Sequence, residues 1–131
     1  MNKYKVLLIT LTLISCTKLP QEGEVLDYQN FKHLSIENIN AITEESYYLY
    51  YYSPVCGYCQ NIKTMMLKFA VATDIYFINV SETNIPCASA EQEVNFACFN
   101  ATPTLRFIYN NNILFSLSGQ SKITSFVLSI S

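Results

Sequence analysis

A mixed α/β domain is the fold class this sequence predicts, and three observations carry that prediction. Strand-like and amphipathic helical runs alternate along the chain. Half of the 131 residues are hydrophobic, enough to build one core, and the length suits a single domain. Only 14% are charged, with three glycines and four prolines, unlike a disordered or collagen-like chain. The formal charge of −2 leaves no basic footprint for nucleic acid.

The N-terminus reads as an export address. Lys3 and Lys5 precede an apolar run from Val6 to Ile14 that is too short to span a bilayer. Leu13-Ile14-Ser15-Cys16 resembles the bacterial lipoprotein box, which implies cleavage after residue 15 and lipid attachment at Cys16. An ordinary cleaved signal peptide and a retained membrane helix are the alternatives. Loss of the leader leaves 116 residues with 6 basic and 10 acidic side chains, a charge of −4. The polar stretch that follows, with Pro20 and Gly23, suits a tether, giving a division into 1–15 signal peptide, 16–28 tether and 29–131 domain.

A first short strand is expected around His33. Ser35 is placed to cap a helix over about Ile36 to Thr43, where Ile36, Ile39 and Ile42 form one stripe. Ser46 to Tyr52 is bulky on both alternating faces, as a central strand covered on both sides should be. Its tyrosines have almost no interleaved basic residues, so they do not read as a stacking platform for bases. From Cys56 to about Thr73, Ile62, Met65, Met66, Phe69 and Ala70 fall at helical spacing. The two methionines fit helix packing better than copper ligation.

Ile75 to Val80 is a second buried strand. Ser89 followed by Gln92 resembles a capping box opening a helix to about Ala97. Thr104 to Tyr109 and Ile113 to Leu117 form a hairpin across Asn110-Asn111-Asn112, since asparagine tolerates positive φ. After Gly119, Ile123, Phe126, Val127 and Ile130 mark the apolar face of a closing helix. His33, the only histidine, reads as a surface or packing residue, and Asp74 and the glutamates as solvated surface.

Five cysteines are an odd number, and assigning Cys16 to lipid leaves Cys56, Cys59, Cys87 and Cys98. Outside the cytoplasm thiols are free to pair, so Cys56-Gly57-Tyr58-Cys59 reads as redox chemistry before metal binding. A structural zinc on all four thiols is the lesser reading, and no metal and no cofactor are expected. Cys87 and Cys98 stay open between a structural bridge, two separate buried thiols and a second redox relay. Eleven residue steps of unbroken helix would hold them roughly 16 Å apart. A bridge therefore needs the chain to fold back, and would stabilise the domain by about 3 kcal/mol.

Three landmarks give the chain from about Gln29 onward its resemblance to the thioredoxin family: Cys56-Gly57-Tyr58-Cys59 where a strand turns into a helix, Ala101-Thr102-Pro103-Thr104-Leu105 before the hairpin, and Gly119 with Lys122 before the last helix. The Thr-Pro-Thr starts a strand with its proline 44 residues beyond Cys59. The resemblance implies a thioredoxin fold, a mixed sheet of about four to five strands flanked by helices, with Pro103 cis. It also implies thiol–disulfide exchange. Cys56, as first residue of its helix, is the nucleophile, its thiolate favoured by the unpaired N–H groups and the macrodipole. Cys59, one turn deeper, resolves the mixed disulfide. Gly57 leaves room for close approach, Tyr58 offers an aromatic surface, and Thr102 and Pro103 receive an extended substrate strand.

Gly-Tyr between the cysteines, and the threonine before Pro103, resemble the bacterial disulfide isomerases, although the chain has no room for their dimerisation domain. Three positions depart from the general pattern. Val55 stands where the family usually has tryptophan, and Tyr50 and Phe77 where it has a buried acid and its lysine partner. The expected function is extracytoplasmic thiol–disulfide oxidoreductase. Its expected partners are exported cysteine-containing proteins or peptides and a membrane redox partner, and its expected location is the outer face of a bacterial cell membrane, by lipid anchor. The alternative is a redox-silent binding module for an exported client.

Overall fold

The computed structural model describes residues 26–82 and 98–131. The expected signal peptide, Cys16, Cys87 and the helix expected after Ser89 lie outside the described residues. A four-stranded sheet has the order β2-β1-β3-β4, built from β1 (Ser46–Tyr52), β2 (Ile75–Asn79), β3 (Thr104–Tyr109) and β4 (Asn112–Ser118). β1 pairs parallel with β2 and antiparallel with β3, and β3 pairs antiparallel with β4. The parallel pair needs a crossover, which α1 (Gly57–Ala72) supplies; α2 (Gln120–Ile130) closes the chain.

Both faces of the sheet are covered, which explains a central strand of nearly continuous bulk. Tyr50 and Tyr52 join Ile62, Met66 and Phe69 of α1 and Ile123 and Val127 of α2 in one core. Tyr47, Leu49 and Tyr51 point the other way, into a second core with Ile36, Ile39 and Ile108. Cys59, Ile62, Met66, Phe69 and Ala70 recur every three to four residues, so α1 buries a single stripe that carries Cys59 with it. Met66 is fully buried and Met65 partly so, in line with packing. Tyr28, at the end of the segment read as tether, is itself buried in the first core.

Four local features differ from the sequence reading. The first strand is only an isolated bridge, His33 to Phe77, because Ser35 turns the chain directly into a short 3-10 helix, Ile36–Ala41, where an α-helix was expected. Six residues closed by i→i+3 bonds make a tight turn and give up the longer helix. The second buried strand ends at Asn79, and Val80 belongs to the following turn while its N–H still bonds the Tyr52 carbonyl. The hairpin turn is two residues long: Asn110 and Asn111 have φ of 47° and 59°, the two-residue geometry that matches strand twist, so Asn112 already pairs with Tyr109. The register then shifts between Phe107 and Ile108, leaving Leu114 as an exposed bulge residue.

Candidate functional site

Cys56 caps α1 and is not its first helical residue, a further difference from the sequence reading. Its backbone is extended, with φ −79° and ψ 112°, and its sulfur accepts from the Cys59 N–H at 3.2 Å. The turn before it is fixed by the Cys56 N–H on the Ser53 carbonyl at 3.1 Å and by Gln60 Nε2 on the Pro54 carbonyl at 2.7 Å. As N-cap, the sulfur occupies the place where an anion at Cys56 meets an unpaired helix N–H and the positive end of the macrodipole.

Cys56 and Cys59 are joined in a disulfide with Cα atoms 5.2 Å apart. The two sulfurs differ in access, since Cys56 is partly exposed and Cys59 is buried at 1%. Only one of them is therefore open to an incoming thiolate. Val55 and Tyr58 flank it as exposed apolar side chains, and Gly57 has open space where a Cβ would project.

The Thr102–Pro103 peptide is cis, and Pro103 is fully buried. Thr104 Oγ1 donates to the Ala101 carbonyl at 2.7 Å, and the Gly119 N–H donates to the Pro103 carbonyl at 2.9 Å. Held this way, Thr102 puts its carbonyl oxygen 3.6 Å from the Cys56 sulfur. The fold thus brings Cys56, Gly57, Tyr58, Cys59, Thr102 and Pro103 to one place. Cys98 lies elsewhere. It is buried and held in a disulfide whose partner is outside the described residues. Its carbonyl accepts from Arg106 Nη1 at 2.8 Å, and Arg106 also reaches Tyr51 Oη at 3.1 Å on the sheet face turned away from α1.

Beneath Cys59 the surroundings are phenolic. Tyr50 and Phe77, at the positions of the family's acid and lysine, are fully buried with ring centroids 5.7 Å apart. The hydroxyls of Tyr28 and Tyr50 are buried beside one another and reach no other partner among the described residues. Burial pushes the Tyr28 phenol up to about 12 and moves Tyr50 and Tyr52 in the same direction. Beside them a cavity of about 590 Å³ is lined by Cys59, Tyr28, Tyr52, His33, Lys63 and Asp27 among others. Lys63 pairs with Asp27 at 2.7 Å and holds that carboxyl below its ordinary range. His33 Nε2 lies 2.9 Å from Tyr52 Oη. His33 and Lys63 were invisible as site residues in the sequence, because neither lies within three residues of a cysteine.

A family model, Thioredoxin, matches residues 22–131, five sixths of the sequence. The chain belongs to the thioredoxin family. No curated protein matches it significantly. Among solved structures, the thioredoxin of Plasmodium falciparum is 17% identical with a TM-score of 0.56, over 76% of this chain and 99% of that one. Mitochondrial thioredoxin 3 of Saccharomyces cerevisiae, in its oxidised form, is 19% identical with a TM-score of 0.55, over 78% and 97%. Chlamydomonas reinhardtii thioredoxin f2 gives 14% and 0.55, over 76% and 93%. At such identities the likeness is one of fold, and this thioredoxin-family domain carries its disulfide at the Cys-x-x-Cys position. Among the described residues there is no cluster able to hold a metal and no helix long and apolar enough to cross a membrane.

Proposed function

We propose that this thioredoxin-family protein is a thiol–disulfide oxidoreductase for exported proteins or peptides, tethered by lipid at Cys16 to the outer face of a bacterial cell membrane. The observation that carries the activity is the asymmetry of the disulfide: Cys56 is accessible and caps a helix, while Cys59 is buried behind it. In the reductive direction the Cys56 thiolate attacks one sulfur of a client disulfide, forming a mixed disulfide and expelling a client thiolate. The Cys59 thiolate then attacks Cys56, regenerating the intramolecular disulfide and releasing the second client thiolate. Run backwards, the same steps oxidise a client dithiol. An extended client segment lies along Thr102 and Pro103, with Val55 and Tyr58 as apolar contacts. A membrane redox partner resets the pair. The Gly-Tyr dipeptide favours isomerisation among the possible directions, and the export signal and lipoprotein box support the location.

Equilibration with defined glutathione ratios, followed by thiol trapping and mass spectrometry, gives the potential of the pair. A value of about −180 mV or above marks an oxidant or isomerase, and one near about −270 mV marks a reductant. Failure of the pair to cycle, or unchanged client processing in Cys56→Ser, would replace the enzyme by a binding module. Loss of lipid incorporation in Cys16→Ala tests the anchor.

A further inference from the structure

Resolution of the mixed disulfide requires Cys59 to become a thiolate, yet Cys59 is buried at 1% and burial disfavours a charged sulfur. Its proton needs an exit, and the side cavity supplies one. Cys59, Tyr52 and His33 line the same space. Nδ1 of His33 lies 3.3 Å from the Phe31 carbonyl, which only accepts, so the tautomer that carries its proton on Nδ1 is the one that satisfies both ring contacts. Nε2 is therefore a free acceptor for the Tyr52 O–H at 2.9 Å. The far side of the imidazole is in solvent.

We infer that Tyr52 and His33 form a proton relay that draws the proton from the Cys59 thiol through this cavity and delivers it to solvent. The inference rests on the oxidoreductase reading given above. In the step, the Cys59 S–H proton passes across the cavity to Tyr52 Oη as the Tyr52 proton moves to His33 Nε2, leaving a neutral phenol, an imidazolium and a Cys59 thiolate. The thiolate forms the S–S bond to Cys56, the bond from Cys56 to the client breaks, and the client leaves as thiolate. Imidazolium then loses its proton to water, so no external oxidant or reductant enters. Tyr52 and His33 act through Cys59 and are positioning residues. The other titratable groups facing them are Asp27 and Tyr28 from the N-terminal turn, Tyr50 from β1, Lys63 from α1 and Glu82 after β2. The Asp27–Lys63 pair is internally neutralised, so the Tyr52 proton has the hydrogen-bonded His33 imidazole as its acceptor.

The test uses the full chain reduced at the Cys56–Cys59 pair with the Cys98 disulfide left intact, and the aromatic disulfide dithiobis(nitrobenzoate). Attack by Cys56 releases one coloured thiolate, and resolution by Cys59 releases a second, so the two steps separate in time. The expected second phase is slowed in deuterium oxide, because protons move in it. His33→Gln should slow it about tenfold to a hundredfold and reduce that isotope effect, leaving the first phase unchanged. Tyr52→Phe should slow the same phase, and circular dichroism reports the folding of both variants. A second phase of unchanged rate in both variants, or slowed with its isotope effect intact, overturns the relay. Absence of the first release in the parent chain instead overturns the oxidoreductase reading itself.

Discussion

The carbonyl oxygen of Thr102 stands 3.6 Å from the sulfur of Cys56, across 46 residues of sequence. On its other side the same sulfur accepts the Cys59 N–H at 3.2 Å. The nucleophile is thus held between an acceptor that favours a thiol, which can donate to it, and a donor that favours a thiolate. When Cys56 ionises, the contact with Thr102 loses its hydrogen bond and the contact with Cys59 strengthens.

Brief alkylation of the reduced protein should label Cys56 and spare Cys59 until denaturant is added, because only the first sulfur is accessible. Peptide mass spectrometry reads both sites. Equal labelling of the two in the native state would remove the assignment of nucleophile and resolving thiol.

The two described glycines should respond oppositely to alanine. Gly119 has φ of 95°, so Gly119→Ala costs about 1–2 kcal/mol from backbone conformation alone, with no clash to add. Gly57 has ordinary φ and open space around it, and Gly57→Ala should leave stability equal or raise it by about 0.5 kcal/mol. Urea titration measures both. A loss of client turnover in a stable Gly57→Ala would then report the space a substrate needs.

Tyr50→Phe should change the stability of the oxidised domain by less than about 1 kcal/mol, since the buried hydroxyl it removes has only the Tyr28 hydroxyl beside it. The buried phenols also set an alkaline limit. Burial raises Tyr28 and Tyr51 to about 12, above the ordinary value near 10. Because the folded state favours the neutral phenol, their contribution to stability is complete below about pH 10 and is lost as pH rises through about 12. Tyrosinate absorbance of these rings should therefore appear together with the loss of circular dichroism. Noncooperative ionisation of all ten tyrosines near pH 10 would contradict their burial.

Arg106, the only arginine, is 3% exposed and holds the Cys98 carbonyl and Tyr51 Oη together, with its guanidinium 4.8 Å above the Tyr51 ring. Arg106→Ala should cost about 2–4 kcal/mol by denaturant unfolding. Arg106→Lys keeps the charge but loses the planar fork, and should recover less than half of that loss.

Much of this molecule was legible before folding was considered. The tyrosine run announced a central strand because bulk at every position suits only a strand covered on both faces. The stripe from Ile62 to Ala70 announced α1 because helical spacing brings those residues to one side. The Cys-x-x-Cys and the Thr-Pro-Thr were legible as short motifs with a spacing between them. The expected first strand failed because one bridge between His33 and Phe77 depends on where β2 lies, which no local pattern records. The length of the asparagine turn depended likewise on the register of β3 against β4.

Periodicity and residues within a few positions of one another were enough to read the α/β class and the strand-to-helix position of Cys56 and Cys59. Only the tertiary structure decided that Cys56 is a cap with Thr102 beside it, that Arg106 fastens the Cys98 carbonyl, and that His33, Tyr52 and Cys59 share one cavity. Those relations join side chains from different strands and turns, and their distances follow from the order and twist of the sheet, which act over the whole domain.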